Sequence, residues 1–300
     1  MYDVLIIGAG PAGLTAAIYA CRAEKSTLVL EAKSYGGQII NTPDIANYPV
    51  APNISGFEFA TTLYNQAKDL GAEIKFEKAV SIDDGEIKTV HTPKNTYEAK
   101  TVILATGAEN RKLGVADEDK LIGKGVSYCA TCDGNFFRKK DVAVAGGGNT
   151  AVEDALYLAD LANTVYLIHR RDAFRADAAL VSRLKARENV KLVLNSNVTK
   201  LVSDVRLQAV EVTDKNTGEV TVLPVQGLFV AVGQVPENEN FKALVDLDAG
   251  GYAIAAEDCK TKTAGIFVAG DNRVKDVRQL VTAAADGAVA ATEAVKYLNN

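Results

Sequence analysis

The feature that most constrains this chain is a pattern that occurs twice. Asp3 to Ile7 is a short, mostly apolar run, followed by Gly8-Ala9-Gly10-Pro11-Ala12-Gly13 and an alanine-rich stretch from Leu14 to about Arg22. A second apolar run, Thr27 to Leu30, ends at Glu31. Adding 138 to the residue numbers carries Gly8 to Gly146, Gly10 to Gly148, Gly13 to Ala151 and Glu31 to His169. Continuous apolar runs bounded by glycine are strands buried on both faces of a parallel sheet. The glycines permit a tight turn, close approach of a pyrophosphate and close packing of helix on strand. Each copy therefore predicts a β-α-β unit with a dinucleotide at the start of its helix, where free N–H groups and the helix dipole favour phosphate.

The copies differ where specificity is set. Glu31 follows Gly13 by 18 residues, and an acid there accepts hydrogen bonds from an adenosine ribose. The second copy replaces the acid with His169-Arg170-Arg171, and Arg175 follows closely. Arginine binds phosphate in a bidentate manner, so this cluster suits a 2′-phosphate. The second site is expected to take NADPH rather than NADH.

Between the two glycine turns lies Ser127-Tyr128-Cys129-Ala130-Thr131-Cys132-Asp133. Two cysteines at this spacing can close as a disulfide or open to a dithiol, with a carboxylate beside them to move protons. A zinc site would need about four ligands, and neither a second Cys-x-x-Cys pair nor a histidine cluster is present. No metal is expected. Cys21 and Cys259 stand alone and read as small buried apolar residues. The chain has 300 residues, 48% of them hydrophobic, which suits two domains. A net charge of −5 argues against a nucleic-acid surface. The absence of a basic leader or long apolar run predicts a soluble cytoplasmic protein with no membrane association.

The remaining segments complete an α/β reading. Gly36-Gly37-Gln38 brings backbone close to a ligand or forms an ordinary turn. Residues 41–56 read as an irregular loop, and Phe57 to Leu70 as a helix stopped by Gly71. Ala72 to Phe76 and Ile87 to His91 predict a small antiparallel ribbon. Thr101 to Ala105 is a buried strand ending at Thr106-Gly107, and residues 190–222 supply alternating strands. Further core strands are expected at Gly227 to Gly233 and Gly265 to Asp271, with a last helix from about Val281 to Leu298. Asp271 reads either as an acceptor for a polyol such as the ribityl chain of a flavin, or as a helix cap.

Together, Gly8–Gly13, Cys129-Ala130-Thr131-Cys132-Asp133 and Gly146–Ala151 resemble the low-molecular-weight thioredoxin reductases, class II pyridine nucleotide-disulfide oxidoreductases, over essentially the whole chain. The resemblance implies two Rossmann-like dinucleotide-binding domains in three layers, a parallel sheet plus an antiparallel β-meander, one inserted in the other. The FAD domain would be 1–110 and 239–300, and the NADPH domain, carrying the redox-active pair, 111–238. FAD would be held by Gly8, Gly10, Gly13, Glu31, Gly37, Gln38, Asn47, Thr106, Gly107, Asp271 and Gln279. NADPH would be held by Gly146, Gly148, Asn149, Thr150, Ala151, His169, Arg170, Arg171 and Arg175. The implied enzyme is an NADPH-dependent thioredoxin-disulfide reductase: NADPH reduces FAD, FAD reduces Cys129–Cys132, and the dithiol reduces oxidised thioredoxin through a mixed disulfide at either cysteine. Cys132 would face the flavin, Asp133 would exchange protons, and the protein would be a homodimer. Two departures stand out: residues 47–53 lack the family's usual glycine after proline, and Asn272 replaces a commonly apolar residue.

Competing readings share this scaffold. A ferredoxin or flavodoxin reductase would not need the cysteine pair, a ferredoxin-fed thioredoxin reductase would lack the arginine cluster, and a non-catalytic redox sensor would show no turnover.

Overall fold

The structure, a computed structural model, describes residues 1–42, 45, 47–50 and 54–300. Ala51, Pro52 and Asn53, part of the unusual loop at 47–53, lie outside the described residues. The chain forms two compact units, residues 1–109 with 235–300, and residues 110–234.

The first unit opens with β1 (Tyr2–Ile7), α1 (Pro11–Arg22) and β2 (Thr27–Leu30). It continues through α2 (Gly56–Asp69), β3 (Glu73–Lys75), β4 (Ser81–Asp83), β5 (Lys88–His91) and β6 (Thr96–Leu104). The sheet order is β3-β2-β1-β6-β5-β4, and the strand Ile266–Val268 joins the end of β6. β1 pairs in parallel with both β2 and β6. Its side chains alternate between two cores, Val4 and Ile6 in one and Leu5 and Ile7 in the other. That is the burial a continuous apolar run demands.

Two sequence expectations need correction here. Ala72 to Phe76 does not form an antiparallel ribbon with Ile87 to His91: β3 pairs in parallel with β2, while β5 pairs antiparallel with β4 and β6. Three alternating residues carry no record of strand direction, and the open edge of β2 decides it. The helix after the first glycine turn also begins earlier than Leu14, at Pro11. Proline suits the first helical position because the N–H it lacks would be unbonded there anyway.

The C-terminal helix, Leu280–Leu298, packs on α1 through small residues. Ala290, Ala291 and Ala294 are fully buried there. At Gly287 a Cβ would overlap the carbonyl oxygen of Ala12 and lie 3.1 Å from the Ala16 nitrogen.

The second unit repeats the plan. Five parallel strands run in the order 190–193, 164–168, 141–146, 227–231 and 126–127. A three-stranded antiparallel meander, 196–203, 207–214 and 220–223, completes it. The helix Ala178–Lys185, unanticipated from sequence, is largely exposed, with Leu184 buried beneath it. Among the described residues no helix is long and apolar enough to cross a membrane.

Because the α1 contact at Gly287 leaves no room for a side chain, Gly287→Val should destabilise the protein by about 1–3 kcal/mol, measured as a lowered Tm in thermal unfolding.

Candidate active site

Both glycine turns have the geometry that a pyrophosphate needs. A Cβ on Gly13 would overlap the Gly8 carbonyl oxygen, so the helix sits against the turn as only glycine allows. Gly10 and Gly148 are the N-caps of their helices, both extended (ψ −177° in each), and neither helix has a side chain capping it. A Cβ at either position would meet nothing within 4 Å among the described residues. Open space beside uncapped N–H groups is where a bridging phosphate fits. Gly37, at φ +59°, approaches the Cα of Gly10, so the Gly36-Gly37 segment closes over the first turn.

In the first unit the carboxyl ends of parallel strands gather the remaining polar groups. Glu31 follows β2, and its carboxylate accepts the N–H of Ala9 at 2.7 Å and of Lys33 at 2.8 Å. Thr106 and Gly107 follow β6, and Asp271 follows the strand Ile266–Val268. Asp271 does not cap the last helix, whose N-cap is Gln279 in a reciprocal capping box with Thr282. Burial pushes the Asp271 carboxyl above its ordinary range, and its Oδ1 is buried with no hydrogen-bond partner among the described residues. An unsatisfied buried acceptor costs about 1–3 kcal/mol, so it fits a hydroxyl-bearing ligand such as a ribityl chain. Asn47 and Gln279, distant in sequence, meet at 2.9 Å, and Gln38 donates to the Ala108 carbonyl.

The sequence assigns no role to two supporting groups, Asn272, which stands out there only as a polar residue at a commonly apolar position, and Asp286. Asn272, fully buried, donates to the Leu104 carbonyl at 3.1 Å, to Thr106 Oγ1 at 3.1 Å and to Asn238 Oδ1 at 3.3 Å. A polar residue stands at this position because it ties the turn after Asp271 to the end of β6. Asp286 accepts the Gly270 N–H at 2.9 Å, two bonds from Arg273 at 2.8 Å each, and one from Lys275 at 2.8 Å. Burial pushes Asp286 up, but Arg273 and Lys275 outweigh it and hold its carboxyl below the ordinary range.

In the second unit His169 occupies the position of Glu31 but not its setting. The imidazole is buried, donates from Nε2 to the Ala173 carbonyl at 3.1 Å and stacks on Phe174 at 5.3 Å. A Cβ on Gly147 would overlap this ring. Burial lowers its pKa, and the nearby arginines add to the effect, so the ring packs as a neutral group beneath the glycine turn. Arg170, Arg171 and Arg175 are exposed. The Arg175 N–H donates to the Gly147 carbonyl at 2.8 Å, and Asn149 exchanges hydrogen bonds with Asp177 at 2.9 and 3.1 Å. The arginine loop is thus tied to the glycine turn at two points. Thr150 is exposed in the first turn of the helix, and Ala151 is fully buried beneath it.

The cysteine pair is a closed disulfide, with sulfurs 2.04 Å and Cα atoms 5.3 Å apart. It follows the edge strand Val126–Ser127, two strands from Asp141–Gly146 in the same parallel sheet. Strands lie ~4.8 Å apart, so the redox turn and the Gly146 turn leave the same sheet edge ~10 Å apart. That carboxyl edge is where open parallel sheets bind ligands. Ser127 Oγ donates to Asp133 Oδ2 at 2.6 Å and accepts the Cys129 N–H at 3.1 Å. Tyr128 OH donates to Glu118 at 2.7 Å, and Glu118 also holds the N–H groups of Leu113 and Gly114 at 2.9 Å. Burial pushes Asp133 up, and its Oδ1 is buried without a hydrogen-bond partner among the described residues. Of the other thiols, Cys259 is buried as expected while Cys21 is only partly so.

The model of the family described as pyridine nucleotide-disulphide oxidoreductase matches residues 2–288. The chain belongs to that family. It is 43% identical to a thioredoxin reductase of Listeria innocua over 300 residues, covering 99% of this chain and 94% of that protein. It is 42% identical to a thioredoxin reductase of Bacillus subtilis, covering 99% and 95%. The crystal structure of a thioredoxin reductase from Streptococcus pyogenes matches with a TM-score of 0.95 at 42% identity, over 100% of this chain and 98% of that one.

One further carboxylate lies on the helix behind the Gly146 turn. Burial, then the charge of Glu153, push Asp154 up to about 7. Unfolded, it would release its proton near pH ~4. The folded chain therefore binds the extra proton in this window, and stability is complete below it and lost as pH rises towards 7. Asp154→Asn should flatten that decline and raise stability at pH 8 by roughly 2–4 kcal/mol, read from Tm against pH for both proteins.

Proposed function

We propose that the chain is an NADPH-dependent thioredoxin reductase. Bound FAD supplies the two-electron step between NADPH and the Cys129–Cys132 disulfide, and the resulting dithiol reduces oxidised thioredoxin by thiol–disulfide exchange. The observation that carries the reading is the disulfide itself, set on the sheet edge that also bears the Gly146 turn and the arginine loop.

The unit 1–109 with 235–300 is assigned to FAD. The open space at Gly10 takes the pyrophosphate, Glu31 accepts from the adenosine ribose with its remaining lone pairs, and Asp271 Oδ1, without a partner among the described residues, accepts a ribityl hydroxyl. Gly37, Gln38, Asn47, Thr106, Gly107 and Gln279 line the same region in this assignment. The unit 110–234 is assigned to NADPH and to the redox pair. Gly148, with Asn149 and Thr150 in the first helical turn, faces the pyrophosphate. Arg170, Arg171 and Arg175 bind the 2′-phosphate, and His169 supports them from below. Asp133 gives and takes the proton that disulfide chemistry requires. Thioredoxin or a thioredoxin-like protein engages either cysteine as a transient mixed disulfide. A homodimer in the cytoplasm is part of the proposal on the family resemblance, and a reducing compartment suits a pair that cycles.

Two measurements test this. In an air-free titration, NADPH should bleach the yellow flavin and oxidised thioredoxin should restore it; Cys132→Ser should still bleach, but oxidised thioredoxin should not restore its colour. A variant that kept full physiological turnover would point instead to a ferredoxin or flavodoxin reductase. Replacing Arg170 and Arg171 by Ala should raise KM for NADPH about 10–100-fold while leaving KM for NADH nearly unchanged. Equal effects on both nucleotides would remove the 2′-phosphate assignment.

A further inference from the structure

Ser127 ends the edge strand of the second sheet, only 4% exposed, and its hydroxyl bonds within the redox turn. The Cys129 N–H donates to Ser127 Oγ at 3.1 Å, and Ser127 Oγ donates to Asp133 Oδ2 at 2.6 Å. The Cys129 carbonyl oxygen also lies 3.3 Å away. A hydroxyl has one proton to donate, and the shorter bond to a carboxylate is the stronger. The N–H of Cys129 occupies an acceptor lobe of the hydroxyl and so turns its O–H towards Asp133. The two oxygens of Asp133 are therefore unlike: Oδ2 is held, and Oδ1 is buried with no partner among the described residues. A buried oxygen left bare is costly as an anion and is relieved by taking a proton.

We propose that Ser127 is a positioning residue for the proton step: it holds Asp133 Oδ2 in both protonation states and so makes Oδ1 the atom that gives and takes the proton of the Cys129–Cys132 pair. This deepens the thioredoxin reductase reading and rests on its redox role for the pair. Opening the disulfide takes up two electrons, supplied as hydride by NADPH in that reading with the hydride's own proton released to solvent, and breaks the S–S bond. Asp133 Oδ1–H transfers its proton to one sulfur. The products are one thiol, one thiolate and the Asp133 carboxylate, and the reverse step returns the proton to Oδ1. Oδ2 is the carbonyl oxygen of the acid and an anionic oxygen of the carboxylate, and it accepts from Ser127 in either state.

The surroundings leave Ser127 as the polar influence on Asp133. The titratable groups on the elements around this turn are Glu118 and Tyr128, bonded to each other, Arg138 beyond it, and Glu153, Asp154 and Tyr157 on the packed helix. Burial is the first influence on the Asp133 carboxyl, and the Ser127 hydroxyl, which opposes it, is the second.

The test follows alkylation of the air-free, fully reduced protein by iodoacetamide as a function of pH. The thiolate reacts, and ionised Asp133 beside the pair raises the thiol pKa, so its titration appears as an inflection on the acid limb. Removing a hydrogen bond to a carboxylate in Ser127→Ala should move that inflection up by about one pH unit, roughly tenfold in proton affinity. Ser127→Thr, which keeps the hydroxyl, should return it towards the wild-type position, and Asp133→Asn should abolish it. Ser127→Gly serves the same purpose should the alanine variant not fold. A serine-deleted profile that overlays the wild type, with the inflection still lost in Asp133→Asn, overturns the proposal. An inflection insensitive to Asp133→Asn also overturns it, and thioredoxin reduction by the intact protein then shows whether the enzymatic reading stands without it.

Discussion

A parallel strand buried on both faces must hand its chain to a helix that packs back on the sheet, and the turn between them has almost no room. In the first unit that turn is possible because Gly13 lets the helix touch the Gly8 carbonyl oxygen. In the second, Ala151 fills the equivalent place, and Gly146 gives way instead, with a Cβ there reaching within 2.6 Å of the Ala151 Cβ. The close contact leaves the first helical N–H groups uncapped and facing open space at Gly10 and Gly148. Key polar groups of both sites follow the same two sheet edges. Glu31, Thr106 and Asp271 follow parallel strands of one sheet, while the arginine loop and the disulfide follow parallel strands of the other.

The buried carboxylates fall into two kinds. Asp286 is fully bonded, by Arg273, Lys275 and the Gly270 N–H, and stays below the ordinary carboxylate range. Removing a partner from such a cluster would strand a charge, so its work is to fix the turn that carries Asp271. Asp271 and Asp133 each keep one buried oxygen without a hydrogen-bond partner among the described residues, and burial raises both. A group left both unsatisfied and perturbed is held for a ligand or a proton rather than for the fold. The contrast separates scaffold from chemistry among residues of the same type.

The redox turn depends on its edge strand. Val126–Ser127 is only two residues long, yet its pairing with Leu228 and Phe229 aims Tyr128 and Cys129 off the carboxyl edge. Glu118 anchors Tyr128 from one side, and burial, with Glu118 second, raises the phenol pKa so that it remains a donor. Ser127 anchors Asp133 and the Cys129 backbone from the other side.

The amino-acid order alone specified much of what is local, though not the helix Ala178–Lys185. Each copy of the strand, glycine turn, helix and strand, the arginine cluster after the second copy, and the two cysteines three positions apart lie within a few dozen residues. Short-range periodicity and backbone sterics are enough to read them. Pairings across long separations were not legible there. The direction of β3, the Asn272 bond to Leu104, the Asp286 bond to Gly270 and the imidazole of His169 under Gly147 all join groups through space. Their partners are chosen by which edge is open and which polar atom burial would otherwise leave bare. Those are consequences of packing the whole chain, and only the tertiary structure decides them.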